Sequence, residues 1–382
     1  MRFWFGRSAA PANASAQVSA TASAVPGLAP LGSFPGKTWD AKFKEALAYA
    51  AAQTYRPVIV LPNGKIELSG GPYPFLDGLR LSGPPGGMER EFEGRGPQTI
   101  VTVKGKPLFS MPKEGVRSLS MRGIQFRASG AVDWMVRVTD LGGGPIMSDA
   151  AFLDVGWVGF RSVMHARHLR VTIDRAYINN GTDVQFKLGG SDNYYFTAGP
   201  SFMSGSLPPT AAAYVHFTSM SRTRVGPLYI TPQYATAFRI DGGYGGLSFE
   251  GTIIDCTGRD KTTACQGAGI YVNGGEGHLF SNLWFFNCAT NPAATKREGE
   301  KGYVYIGKNA KEIAFVGCQW SGGAKQRVHT PAGTPAIYCA AGASGVRVHA
   351  PLAPNGGEKR LQQASAGALS CDDPAWKIVT AR

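Results

Sequence analysis

The sequence predicts an all-β solenoid. A short pattern recurs in the second half of the chain at nearly constant spacing. An apolar strand is followed by a Gly-rich turn, and seven residues after the strand's last apolar residue a second apolar run begins. In the first copy Phe238-Arg239-Ile240 leads through Asp241-Gly242-Gly243-Tyr244-Gly245-Gly246 to Leu247-Ser248-Phe249. Later copies relate Val272 to Leu279, Ile306 to Ile313 and Cys339 to Val346, at intervals of 32, 34 and 33 residues. A fixed period with turn residues at a fixed offset means that each repeat buries its apolar face only against its neighbours. Strands of a few residues, with turns between them, also recur from Thr99 onward. Composition agrees. Gly is 51 of 382 residues, where the average is about 7%. Charged residues are 17%, below the usual ~25%. Tight turns between short strands need such a balance, and 43% apolar residues supply a continuous core.

The elements follow in order. Residues 8–35 are Ala, Ser, Pro and Gly with few charges. Such an arm orders only by lying along its own body or a partner chain, with Phe3, Trp4 and Phe5 as its anchor. A helix follows. Thr38 caps it, Asp40 sits in its first turn, and Trp39, Phe43, Ala46, Leu47, Ala50 and Ala51 share a face that ends near Gln53. Arg56 to Leu68 reads as strand, Pro62-Asn63-Gly64 turn and strand. Gly78 to Gly83 is another short strand, then Thr99 to Val103, Leu108 to Met111, Val116 to Phe126, Ala151 to Phe160 and Leu169 to Ile178. Three such strands make a coil of about 30 residues. The period breaks at Gly181–Ala213, read as a lateral loop, and again at Ala289–Gly302. After Pro351 the tail is Gly/Ser/Ala-rich. The expected division is an arm over 1–36, a solenoid over 37–355 and a tail over 356–382.

The segment from Thr38 to Gly83 resembles the start of the pectate-lyase-like superfamily. The residues that carry the resemblance are the Ala-rich helix, then Val58-Ile59-Val60-Leu61-Pro62-Asn63-Gly64-Lys65-Ile66, then Leu79-Arg80-Leu81-Ser82-Gly83. The resemblance implies a right-handed parallel β-helix over roughly 38–350, with the helix capping its first coil. A short arm before such a helix is similar to the layout of phage tail spikes and tail fibres. That likeness implies a homotrimer docked on a virion adaptor through residues 1–36.

Net charge is +13. The basic residues, among them Arg117, Arg161, Arg224, Arg239 and Arg347, are scattered without a run of five or a nucleic-acid motif. Their surplus reads as a dispersed solvated surface or as a face for an anionic glycan. No nucleic-acid partner is expected. No apolar stretch approaches the ~18 residues of a membrane span, and the apolar run after Met1 is shorter than a signal peptide requires. Cys256, Cys265, Cys288, Cys318, Cys339 and Cys371 show no CxxC spacing, so neither a metal nor a cofactor is expected. Cys256 and Cys288 fall at equivalent places in adjacent repeats. A disulfide, a buried pair of thiols and a Cys256–Cys265 bridge are all open.

Glycan hydrolases of this fold use two or three carboxylates on neighbouring coils, 6.5–9.5 Å apart in an inverting enzyme. Asp174, Asp183, Asp192, Asp241, Glu250 and Asp255 are candidates. Asp241 falls in a repeat turn, where Asp serves the backbone. That leaves Asp174, Asp183, Asp192, Glu250 and Asp255 as catalytic candidates. The superfamily's Asn-Thr-Asp, Asp-Asp, Gly-His-Gly and Arg-Ile-Lys motifs are not intact. Gly277-His278 runs into Leu279, and the Asp372-Asp373 pair lies in the tail. The six histidines are scattered and read as single surface or stacked residues. Aromatic faces stack on sugar rings, so Tyr194, Tyr195, Tyr214 and Tyr244, with Asn193, are the glycan-binding candidates. Packing of the loop is the competing use of those rings.

The reading is a virion tail fibre or tail spike that binds host-surface polysaccharide without inserting into a membrane. An active depolymerase of the same fold and a structural head-fibre or baseplate protein are the alternatives.

Overall fold

Side chains alternate inward and outward along each short strand, and parallel pairing stacks the inward positions coil upon coil. The computed structural model of the chain describes residues 27–84, 99–191, 195–196, 201–207, 213–233, 235–243, 246–255, 267–286, 288, 301–321, 333–353 and 359–381. Among these, three parallel sheets run the length of a solenoid. Sheets 1 and 2 are joined by two long strands that cross their shared corner, Ser120–Ser129 and Ala151–Val158, and together hold 21 strands. Sheet 3 holds 11.

Each sheet contributes one inward column. In sheet 1, Val225, Phe249, Phe280, Phe315 and Val348 are successive partners. In sheet 2, Met203, Ile230, Ile254, Phe285 and Trp320 are. Ring contacts repeat the coil spacing: Phe280 and Phe315 stack at 4.8 Å and 14°, Phe285 and Trp320 at 5.7 Å and 4°. In sheet 3 the column includes Ile240, Val272, Ile306 and Cys339, the repeat positions of the sequence.

The corner between sheets 1 and 2 is turned by one residue with positive φ. Gly251 (φ 60°), Asn282 (φ 53°), Gly317 (φ 61°) and Ala350 (φ 46°) occupy it on successive coils. Its amide still reaches the next coil: Gly251 N donates to Ser281 O at 3.1 Å and Asn282 N to Val316 O at 2.9 Å. At the same corner Asp154 is buried and gripped through both oxygens by Arg175 of the following coil.

The helix spans Trp39–Ala52, with Ala41 N donating to Thr38 Oγ1 at 3.2 Å. It buries Phe43, Ala46, Leu47 and Ala50, whereas Ala51 is exposed, contrary to the expected face. Asp40 accepts from Ser69 N at 3.0 Å and Gly70 N at 2.6 Å, pinning the helix to the first coils. At the far end Trp376 packs edge-on against Trp320 at 5.5 Å.

Four expectations are corrected. Leu28–Pro30 of the expected arm pairs with Val58–Val60 as the first rung. Within Gly181–Ala213, strands Phe186–Ser191, Tyr195–Phe196 and Ser201–Ser206 pair with their neighbours, so this is a coil and not a lateral loop. The tail contributes further rungs, Arg360–Gln363, Leu369–Cys371 and Lys377–Thr380. Finally, Leu279 is out of step. Its register partner is Ser248, it is 38% exposed, and His278 fills the inward place at 1%. A register shift between Val272 and Gly274 displaces the strand by one residue.

Cys288, Cys318 and Cys339 are buried thiols and Cys371 is half-buried. Burial pushes Cys318 and Cys339 up to about 12. Cys256 and Cys265 lie outside the described residues. No helix among the described residues is long and apolar enough to cross a membrane.

A branched side chain is excluded from the left-handed corner far more strongly than Asn. Gly251→Val is expected to cost about 2 kcal/mol and Gly251→Asn less than about 1 kcal/mol in urea unfolding. Equal costs for the two variants would contradict the corner geometry.

Candidate functional site

The described carboxylates singled out in the sequence are spread over the three sheets. Asp174 and Glu250 end sheet 1 strands three coils apart, roughly 14 Å at ~4.8 Å per coil. Glu250 is exposed and paired with Arg224 at 2.9 Å. Asp255 ends a sheet 2 strand and accepts from Tyr229 Oη at 3.0 Å; burial, together with Asp255, pushes Tyr229 up to about 12. Asp183 precedes a sheet 3 strand and accepts from Arg137 Nη2 at 2.9 Å. Asp192, Asn193, Tyr194, Tyr244, Phe3, Trp4 and Phe5 lie outside the described residues. Tyr195 occupies a sheet 1 strand opposite Thr172 and Arg224.

Tyr214 is fully buried and donates to Ser204 O at 2.7 Å. Its ring is core, which removes it as a sugar platform. The outward aromatics of sheet 2 are spent on each other. Tyr177 and Phe202 stack at 5.7 Å and 21°, and Phe202 and Tyr229 follow at 5.7 Å and 30°.

Sheet 3 differs. Its alternating strands Phe186-Lys187-Leu188, Val215-His216-Phe217 and Phe238-Arg239-Ile240 turn the middle residue outward. Register then aligns His165, Lys187, His216, Arg239, Tyr271, Tyr305 and Tyr338 on successive coils. Arg137 extends this row by one coil, since the next amide, Val138 N, donates to His165 O at 2.9 Å. Five nitrogen bases are thus followed by three tyrosines.

Asp241 joins the row two residues after Arg239. It accepts from Arg239 Nε at 2.7 Å and Asn273 Nδ2 at 3.2 Å, and its Oδ2 lies 2.6 Å from His216 Nε2. Arg239 and Asp241 keep 29% and 25% side-chain exposure, while His216 lies deeper. The guanidinium of Arg239 sits 5.1 Å over the Tyr271 ring, which meets Tyr305 at 4.9 Å. At the opposite end of the row buried Asp133 takes Arg161, Ser162 and Arg137, and Arg137 Nη2 also binds Asp183.

Burial raises the carboxyl of Asp241, but hydrogen bonds and charge from His216 and Arg239 outweigh it and hold it at about 2. A general acid needs the opposite shift. Burial pushes His165 down to about 4 and His168 to about 3, and also lowers His278. His165 Nε2 donates to Val184 O at 2.9 Å, and His278 Nδ1 accepts from Leu247 N at 3.0 Å. These imidazoles are neutral structural groups. Among the described residues no three His, Cys, Asp or Glu side chains are grouped to hold a metal.

Asp241, set aside in the sequence as a turn residue, and His216, read as a single scattered histidine, in fact meet. The signal was the alternation Arg239-Ile240-Asp241, which puts both polar residues on one face. Pairing them with His216 needs a coil of 23 residues, shorter than the repeat downstream.

No protein-family model and no curated protein matches the chain. Solved structures do. The A-module of Azotobacter vinelandii mannuronan C-5 epimerase AlgE6 aligns over 90% of this chain and 99% of its own, at 11% identity and a TM-score of 0.53. The Agl-KA catalytic domain aligns over 93% and 70%, at 12% identity and a TM-score of 0.52. The N-terminal fragment of bacteriophage Phi29 gene product 12 aligns over 90% and 65%, at 8% identity and a TM-score of 0.51. The chain has the parallel β-helix fold. At these identities the likeness concerns the fold alone, and the chemistry of this β-helix rests on its own side chains.

His165, His168 and His278 titrate below their ordinary value of 6.5 in the fold. The unfolded chain therefore binds more protons as pH falls. Their contribution to stability is complete above about pH 6.5 and is lost as pH drops toward the folded values, near 4 for His165. The melting temperature of the β-helix is expected to fall steadily over that window. His165→Gln, which keeps an N–H donor, is expected to flatten the decline; an unchanged slope would contradict this assignment.

Proposed function

We propose that this β-helix is a phage virion appendage, a tail fibre or tail spike, that binds host-surface polysaccharide on the outer face of sheet 3. The observation that carries the reading is the in-register row from Arg137 to Arg239 with Asp241 and Asn273 beside it. Arg137, Lys187 and Arg239 keep partial exposure there, two coils or about 9.6 Å apart, with His165 and His216 buried between them. A linear polymer lying lengthwise can meet several of them together. The net charge of +13 favours anionic polymers over neutral apolar partners.

Two structural neighbours support this reading by name. One is an epimerase of mannuronan and the other a bacteriophage gene product. Residues 1–26, ahead of the first rung, would join the protein to its adaptor, with Phe3, Trp4 and Phe5 as anchors, and three copies would associate side by side. The depolymerase alternative needs a close carboxylate pair with one member protonated. Asp174 and Glu250 stand too far apart for that, and Asp241 is fully ionised at neutral pH.

Purified full-length protein is expected to be retained on immobilised polysaccharide from its host. A version lacking residues 1–26 should keep that binding but fail to join particles. Particle assembly by the truncated protein would refute the attachment role, and failure to bind any host polysaccharide would refute the glycan role.

A further inference from the structure

We infer that the middle of the row, Lys187, His216 and Arg239, is a subsite for an anionic group, carboxylate or phosphate, carried by the bound polysaccharide. The inference rests on the glycan-binding reading above and names the chemistry of its ligand.

Three observations support it. Arg239 is fixed at both faces of its chemistry: Nε donates to Asp241 at 2.7 Å and the guanidinium lies over Tyr271. Its terminal nitrogens, Nη1 and Nη2, have no partner among the described residues. A guanidinium held in this way has already lost its rotamer freedom, so an oxyanion is met at low entropic cost. His216, buried beneath the row, holds Asp241 through Nε2 from the preceding coil and so steadies the carboxylate that aims Arg239.

Lys187 lies two coils before Arg239 in the same register column. Among the described residues it has neither an ion pair nor a hydrogen bond. Arg137 behaves differently, because Asp133 and Asp183 both bind its Nη2. The row is thus neutralised at its upstream end and carries surplus positive charge over Lys187–Arg239, where among the described residues Asp241 is the one carboxylate bound to it. Arginines on sheet 1 have their own acids, as in Arg224 with Glu250 and Arg347 with Glu312. Asp241 on this account is a positioning residue that aims Arg239.

Binding of the full chain to immobilised polygalacturonate, to a glycerol-phosphate polymer and to neutral dextran tests the inference. The protein is expected to bind at least one anionic polymer and not dextran, and which one it prefers separates carboxylate from phosphate. Arg239→Gln and Lys187→Ala should each weaken that binding about tenfold or more. Arg224→Ala, which removes the same charge from sheet 1, should change it less than about twofold. Lys187→Ala removes a side chain without partners, so it decides the matter should Arg239→Gln fail to fold. Equal binding of dextran, binding of neither anionic polymer, or equal loss from Arg224→Ala and Lys187→Ala would each overturn the subsite. Retention of host polysaccharide with any of these outcomes leaves the glycan-binding reading standing; loss of that retention in the wild type removes the reading itself.

Discussion

At Gly123, Asp154, Arg175, Gly251, Asn282, Gly317 and Ala350 a single left-handed residue turns the coil from sheet 1 into sheet 2. Because the turn takes one residue, its amide remains in the ladder, as Asn282 N does on Val316 O. One residue more would reverse which side chains point inward on the following strand. The inward phenylalanine column and the outward row of sheet 3 both depend on that phase being kept. Asp154, Asn282 and Ala350 hold the conformation in spite of their Cβ atoms. The bidentate grip of Arg175 on Asp154 shows the surrounding structure enforcing it.

With the phase fixed, the three outer faces diverge in chemistry. Sheet 1 carries charges that pair between coils, such as Arg224 with Glu250. Sheet 2 carries rings that stack on one another from Tyr177 to Tyr229. Sheet 3 lines up Arg137, His165, Lys187, His216 and Arg239 before its tyrosines. A pocket is not required to bring these groups together. The ladder alone sets them about 4.8 Å apart, and Asp241 then ties three coils into one hydrogen-bonded unit.

Much of the scaffold was legible in the sequence because burial constrains it. Thr38 and the apolar face from Phe43 to Ala50 mark the helix, and Ile240, Val272, Ile306 and Cys339 are true register partners. The count failed at Leu279 because a register shift near Gly274 put His278 in the core instead. Upstream, Met164, Phe186, Val215 and Phe238 are partners at intervals of 22 to 29 residues, so no single period could align them. That is why a regular coil read as a lateral loop. The same uneven spacing hid the site. Outward residues carry no hydropathy signal, so His216 and Asp241 look unrelated until the strands are paired. Tyr214 shows the converse, an aromatic expected at the surface that the fold buries.

The central claim is that register brings His216 and Asp241, 25 residues apart, into direct contact. A double-mutant cycle with His216→Ala, Asp241→Ala and the pair, read by urea unfolding at neutral pH, tests it most directly. Contact predicts a coupling of about 1 kcal/mol or more. Additivity within about 0.5 kcal/mol would mean that the two side chains do not meet, and that the row on sheet 3 is not assembled as described.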